Sequence, residues 1–215
     1  DMVMYLRERG YPWRSTMLDE AASAGRLSLV QYLVEHGCPW SMDLLGAAAS
    51  SGSHEVVRYL LHEVVRRTRL GLELCFMIND APVYYAVTGG HLEVLADLHA
   101  TGWVNEDHHL LELAATHGHL QVVQYLHEHI RKNPQISDAI AVAAERGHLE
   151  MVKYLHENQY AWDPRTFCAA AKGGNLEVVK YLHAHGCPWD STATAAAGLG
   201  GQVEMLHWLL MNGCP

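Results

Sequence analysis

Gly147-His148-Leu149-Glu150-Met151-Val152-Lys153-Tyr154-Leu155-His156 decides the fold, because the chain contains it several times over. Gly174-Asn175-Leu176-Glu177-Val178-Val179-Lys180-Tyr181-Leu182-His183 is a second copy, and more degraded copies run back to the N-terminal end. Each copy opens with a glycine, here termed the anchor: Gly25, Gly52, Gly90, Gly118, Gly147, Gly174 and Gly201. Spacings of 27, 38, 28, 29, 27 and 27 residues set a base period of 27. Self-similarity on that scale marks a repeat array, in which a unit buries its apolar face only by stacking on its neighbours. Met2-Val3-Met4-Tyr5-Leu6 reads as the remnant of an eighth copy.

Each unit reads as two helices. Four residues before every anchor stands alanine (Ala21, Ala48, Ala86, Ala114, Ala143, Ala170, Ala197), inside segments such as Ala139-Ile140-Ala141-Val142-Ala143-Ala144. Side chains that small let a short first helix approach its neighbours closely. The anchor suits the tight turn between helices, where positive φ costs glycine little. Beyond it, apolar residues at +2, +4, +5 and +8, for example Leu176, Val178, Val179 and Leu182, form one face of a second helix. Glu55/Arg58, Glu150/Lys153 and Glu177/Lys180 are i,i+3 pairs on its solvated side. Gly37-Cys38-Pro39-Trp40 and Gly186-Cys187-Pro188-Trp189 stop it, and Asp163-Pro164 supplies an N-cap and first-turn proline for the next pair.

These residues resemble the ankyrin repeat, over essentially the whole chain. The departure is in length. Ankyrin repeats usually run 33 residues, with a β-hairpin between helix pairs and Thr-Pro-Leu-His at the first helix. Six residues are missing here, and only Ala81-Pro82-Val83-Tyr84-Tyr85-Ala86 approaches the tetrapeptide. The pattern is similar to the shortened ankyrin-like repeats of giant-virus and protist proteins. The expected fold is all-α, a helix-turn-helix solenoid of ankyrin-like repeats with reduced or absent β-hairpins.

The expected organisation is a single array over 1–215: a partial repeat at 1–13, then repeats at about 14–40, 41–78, 79–106, 107–135, 136–162, 163–189 and 190–215. The second holds 11 extra residues near 63–78, read as a lengthened second helix (Glu63 to Arg69) and a connector (Leu70 to Phe76). Ile130-Arg131-Lys132-Asn133-Pro134 replaces the Cys-Pro-Trp loop. Both ends cut through a repeat without a polar cap, which reads as a piece of a longer, monomeric array.

Composition excludes several classes. With 24 Asp+Glu against 15 Lys+Arg, the net charge is −9 with neutral histidines, which argues against a general nucleic-acid binder. No run of 18 apolar residues is present, so no membrane span is expected. Five cysteines without a Cys-x-x-Cys, and no Asn-x-Ser/Thr site, point to free thiols in a reducing compartment, hence an intracellular and cytoplasmic setting.

The 16 histidines would carry the net charge from −9 to +7 if all were protonated. Ten of them fall at three repeat positions: His91, His119 and His148 at +1; His99, His127, His156 and His183 at +9; His36, His129 and His185 at +11. Equivalent positions in adjacent repeats lie roughly 8–10 Å apart, and nothing enforces the convergence a metal needs. The bland reading is a ladder that serves turns and helix seams, with the +1 imidazole hydrogen-bonding at its own turn. The sharper one is a metal- or pH-responsive scaffold. No spacing selects a Cys–His dyad for Cys168, and the Gly-Gly pairs lack the strand a phosphate loop needs. The chain is therefore read as non-catalytic, with no cofactor, metal or small-molecule substrate. Trp13, Trp40, Trp162 and Trp189 at +15 are either binding hot spots or rings packed on the next repeat's first helix, and their regularity favours packing. Tyr5, Tyr32, Tyr59, Tyr125, Tyr154 and Tyr181 at +7 read as seam residues.

The expected partner is another protein. In ankyrin repeats the variable residues just before the anchor line the concave surface. Carried over by position, they are Ser23, Ala24, Ser50, Ser51, Thr88, Thr116, His117, Glu145, Arg146, Lys172 and Leu199, extended by loop positions Arg14, Met42, Asp107, His108 and Arg165. Arg66, Arg67 and Arg69 are either a solvated helix end or a dock for an acidic partner. An architectural segment of a larger assembly is the competing reading.

Overall fold

The structure, a computed structural model, describes residues 9–10, 12–69, 80–104, 109–130 and 138–214. Among them are fourteen α-helices and no strand. They pair as α1 (Ser15–Ser23) with α2 (Leu27–Glu35), α3 (Leu44–Ser50) with α4 (His54–Arg69), and α5 (Ala81–Thr88) with α6 (Leu92–Ala100). Next come α7 (His109–His117) with α8 (Leu120–His129), α9 (Ala139–Arg146) with α10 (Leu149–Glu157), α11 (Pro164–Gly173) with α12 (Leu176–Ala184), and α13 (Ser191–Leu199) with α14 (Val203–Met211). The chain divides into two compact units, Asp1–Asn105 and Glu106–Pro215. In each, odd-numbered first helices pack on odd, and each second helix packs on the first helix of its own pair. The remnant Met2–Leu6 with Tyr5, the connector Leu70–Phe76 with Cys75, and the loop residues Asp107 and His108 lie outside the described residues.

Every anchor glycine has positive φ, from 64° at Gly25 to 79° at Gly147. Around it two hydrogen bonds close the first helix in six of the seven repeats; in the second, Ser53 N–H donates instead to Ser51 Oγ, which donates to Ala48 O. Gly147 N–H donates to Ala144 O (3.2 Å) and His148 N–H to Ala143 O (2.9 Å), the two bonds of a Schellman motif. The alanine four before the anchor is thus the acceptor of the longer bond as well as a contact residue. It has no room to be larger, being 0–3% exposed in all seven repeats. Leu149 N–H then reaches back to Gly147 O (2.9 Å) while His148 sits at φ −80°, ψ 73°. That inverse γ-turn starts the second helix at once, so the two helices share one rigid corner.

Second helices end by the same device. Gly186 (φ 78°) donates to His183 O (3.2 Å), and Cys187 N–H to Leu182 O (2.9 Å). The apolar partner that a Schellman motif prefers two residues past the cap is the buried Cys38, Tyr160, Cys187 or Cys214. Cys38, Cys187 and Cys214 also aim their thiols at the carbonyls of Arg14, Asp163 and Asp190, tying the end of a repeat to its start. Burial pushes the Cys38 thiol up, and that of Cys187 up to about 12. The Cys38 and Cys187 sulfurs are packing groups and stay protonated.

Repeats touch where glycine leaves space. A Cβ on Gly118 would come 2.7 Å from the His148 ring, one on Gly52 would meet the His91 ring, and those on Gly147 and Gly174 would overlap the Asn175 and Gln202 amides. The +1 side chain therefore lies over the previous repeat's anchor. At Asn175 it also donates to Ala144 O (3.1 Å) and Glu145 O (2.7 Å), capping carbonyls that the previous first helix leaves open. The expectation that +1 histidines cap their own turn is corrected: His91 and His148 make no such bond.

Gly173 has an ordinary helical conformation, yet a Cβ there would overlap the Glu145 carbonyl oxygen of the previous repeat. Gly186 has open space but φ 78°. Gly173→Ala should therefore cost about 2 kcal/mol by forcing the backbones apart. Gly186→Ala should cost only the left-handed strain of about 1 kcal/mol. Urea unfolding of both variants would measure this, and equal losses would contradict it. Gln159 is the sole described non-glycine with positive φ (63°), at the place where other repeats have glycine. Gln159→Gly should raise stability by ~1 kcal/mol, read from the same denaturation midpoint.

Candidate functional site

Two surfaces emerge, one from each helix of the pair. On the second helices the histidines divide by job. At +11, His36, His129 and His185 place Nδ1 2.8, 3.2 and 2.8 Å from the carbonyls of Tyr32, Tyr125 and Tyr181. A carbonyl only accepts, so Nδ1 carries the proton and each ring caps its own helix C-terminus. Asn158, Asn212 and Thr101 make the equivalent bond in their repeats. Glu63 occupies this position in the second repeat, where no cap is needed because α4 continues for 16 residues.

At +9 the imidazoles reach the next aromatic residues. His127 Nδ1 pairs with the Tyr160 hydroxyl (3.0 Å) and His156 Nδ1 with the Tyr181 hydroxyl (3.1 Å). His156 stacks on Trp162 at 3.7 Å between ring centroids, and His183 contacts both Trp189 and Trp208. The +15 tryptophans reach the second helix of the following repeat, and Trp189 also meets Phe167 on the first helix of its own. Trp13 Nε1 donates to His36 O (3.2 Å), Arg67 lies over the Trp40 ring (4.2 Å), Trp162 meets Tyr181, and Trp189 meets Trp208. Among the described residues no group of three or more His, Cys, Asp or Glu converges as a metal site would.

The basic run is already engaged in part. Arg66 grips the buried Glu63 carboxylate with Nε (2.8 Å) and Nη2 (2.6 Å), and Arg67 Nε stands 3.9 Å from it. The Arg66 hydrogen bond holds that carboxyl below its ordinary range, against the effect of burial. Arg69 is exposed at the helix end. Of the i,i+3 pairs expected on second helices, Glu150–Lys153 and Glu177–Lys180 form at 2.7 Å. Arg58 turns instead to Asp97 of the next repeat (3.2 Å).

The second surface is made by the first helices and the loops before them. Ser23, Ser50 and His117 are exposed, and Ser51, Thr88 and Thr116 are half-buried. Their polar atoms turn back to carbonyls three or four residues earlier, at 2.7–3.1 Å. Glu145 accepts from Lys172 Nζ of the next repeat (2.8 Å), and Arg146 is exposed beside it. Arg165 pairs with Asp163 (2.8 Å) and Asp138 (3.6 Å). Arg14 and Ala24 are exposed, as are Met42 at 59% and Leu199 at 89%. Sequence reasoning passed over Tyr84 and Tyr85, 37% and 50% exposed on α5, because they sat inside a motif read as structural. The Tyr85 ring lies on Gly46, where a Cβ would stand 3.3 Å from it. On α14, Val203, Leu210 and Met211 are also exposed.

Stacked helix pairs joined by a left-handed glycine corner define a helical-repeat protein. Comparison with known families identifies the repeat. A model described as ankyrin repeats (3 copies) matches residues 18–106, 45–139, 83–165 and 140–215, and the chain belongs to the ankyrin-repeat family. Its fold is similar to that in the crystal structure of the human ASB11 ankyrin repeat domain, with a TM-score of 0.70 at 21% identity over 92% of this chain and 98% of that one. Comparison with curated protein sequences returned no match. Ankyrin repeats are in general protein-protein interaction modules. No described helix is long and apolar enough to cross a membrane.

Burial holds His156 below the ordinary imidazole range, with the facing His185 acting the same way and Glu157 opposing. Tyr181 and Trp162 complete its surroundings. A folded-state value below the unfolded one, about 6.5, means that the contribution is present above that pH and is lost as pH falls below it through the folded-state value. The melting temperature should drop between about pH 7.5 and about pH 5.5, and His156→Gln should reduce the drop. A parent melting temperature that does not move would refute this.

Proposed function

We propose that the chain is a non-catalytic protein-protein interaction module. Its contact surface is formed by the first-helix ends and the loops that lead into them. The observation that carries this reading is a contrast within one short stretch. The alanines four before the anchor are buried in all seven repeats, while the residues two before it are half-buried or exposed in all seven. Those outward residues are Ser, Ser, Thr, Thr, Glu, Lys and Leu in order, so the scaffold repeats and the contact chemistry does not. Arg14, Met42 and Arg165 extend the surface, and Asp107 and His108 belong to it by position. A partner lying along it would cover a row of such residues, as solenoids use extended surfaces. Arg69, with the half-exposed Arg66, remains the place where an acidic partner would dock.

A second reading, an architectural segment within a larger assembly, draws on Leu199, Val203, Leu210 and Met211, which are 65–89% exposed on one helix pair. Affinity capture with the purified chain separates the two. The triple variant Thr116→Ala/Glu145→Ala/Lys172→Ala should lose the captured protein by ~10-fold or more with an unchanged circular dichroism spectrum. Undiminished capture would refute the placement, and loss only in Leu199→Lys/Leu210→Lys would favour the architectural reading.

A further inference from the structure

The two units differ in how their first helices handle charge. In the C-terminal unit three of the first-helix and loop anions have cations beside them, Glu145 with Lys172 and Asp138 and Asp163 with Arg165, while Asp190 is held by Thr192. In the N-terminal unit, α1, α3 and α5 carry no Lys or Arg at all. Glu20, Asp43 and Asp80 are exposed there, and none of them makes an ion pair among the described residues. The cations of α4 are on the second-helix side, where Arg58 and Arg66 hold Asp97 and Glu63. Arg14 and Arg26 flank α1 at its two ends and leave the acidic strip between the helices unanswered.

Asp19, Glu20 and Asp43 lie together where α1 meets the loop before α3. The Ser41 hydroxyl, in the loop before α3, donates to Asp19 Oδ1 on α1 at 2.6 Å. Asp19 is raised from its ordinary value first by burial and then by the charges of Asp43 and Glu20, against the Ser41 hydrogen bond. Those three carboxylates therefore share one negative field. α5, with Asp80 immediately before it, meets α3 where Tyr85 and Ala81 lie on Gly46. Exposed apolar surface accompanies these carboxylates, with Met42 at 59%, Tyr85 at 50% and Tyr84 at 37%. A tyrosine standing over small residues is the kind of anchor that dominates interface energetics.

Building on the interaction-module reading, we propose that the first-helix face of the N-terminal unit docks a cationic polypeptide segment bearing an aliphatic or aromatic side chain. Its Lys or Arg residues meet Glu20, Asp43 and Asp80, and its apolar side chain packs on Tyr85. Charge complementarity selects this occupant: an acidic segment would face uncompensated repulsion, and a neutral one would strip water from carboxylates without replacing it.

The test uses the full chain and three short synthetic peptides of equal Leu and Trp content, carrying Lys, Gln or Glu at the remaining positions. Fluorescence anisotropy at physiological salt should show the Lys peptide binding at least ~10-fold more tightly than the other two. Tyr85→Ala, and separately Asp43→Asn/Asp80→Asn, should each weaken it by ~10-fold. The control Glu150→Gln/Glu177→Gln removes equal charge from second helices and should leave the affinity in place, which separates docking from general attraction to an acidic chain. Thermal melts establish that each variant is folded. Equal affinity for the three peptides, no binding of the Lys peptide, or the same loss in the control overturns the proposal. Loss confined to the Thr116, Glu145 and Lys172 variant would overturn it while leaving the interaction-module reading standing, and that reading fails separately on the capture experiment.

Discussion

One backbone hydrogen bond recurs through the chain, and the rest of the structure is arranged around it. The N–H of the residue after the anchor reaches back over a left-handed glycine to the carbonyl of the alanine five positions earlier, as from His91 to Ala86 (2.8 Å) or His119 to Ala114 (3.1 Å). It stops the first helix, and the inverse γ-turn that follows launches the second without a linker. The angle between the two helices is fixed by backbone geometry before any side chain is considered. Side chains then settle spacing: alanine at the acceptor lets the next first helix come close, and glycine at Gly173 or Gly200 lets backbone carbonyls of adjacent repeats approach to where a Cβ would stand.

Because that corner is rigid, the polar residues around it have local duties, which accounts for the histidine-rich composition. An imidazole over an anchor glycine, one shared with a tyrosine hydroxyl, and one capping its own helix are three different uses at three repeat positions. Asn and Thr substitute at the cap position because the requirement there is for a donor of suitable reach, and Asn and Gln substitute at the glycine position, where the side chain covers the previous anchor. The buried thiols follow the same logic. Each fills the apolar slot of the second Schellman motif and turns its weak donor to a loop carbonyl.

Much of this was legible in one chain, because repetition supplies an internal control. Gly, Ala and the +4, +5, +8 apolar residues recur at fixed offsets, so helix pairing, corner and core followed from period alone. Partner choice across repeats was harder to read. Glu55 and Arg58 satisfy the local i,i+3 rule, yet Arg58 finds Asp97, a residue 39 positions away. The +15 tryptophans also reach second helices of the following repeat, contacts that period alone does not give. Tyr85 was missed for a related reason: an expected motif residue attracts no attention until the exposure of its ring is known.

The candidate surface has a physical property that position alone could not reveal. Ser23, Ser50, Ser51, Thr88 and Thr116 return their hydroxyls to their own helix carbonyls, so these donors are satisfied before any partner arrives. Burying a satisfied hydroxyl avoids the penalty of about 1–3 kcal/mol that an orphaned one would incur. The Glu145–Lys172 pair is solvent-facing and screened by water, so rearranging it under a partner costs little. A surface built this way resists few occupants by desolvation. Discrimination then falls to features that are not satisfied internally, among them Glu20, Asp43 and Asp80, which make no ion pair among the described residues, and the exposed ring of Tyr85.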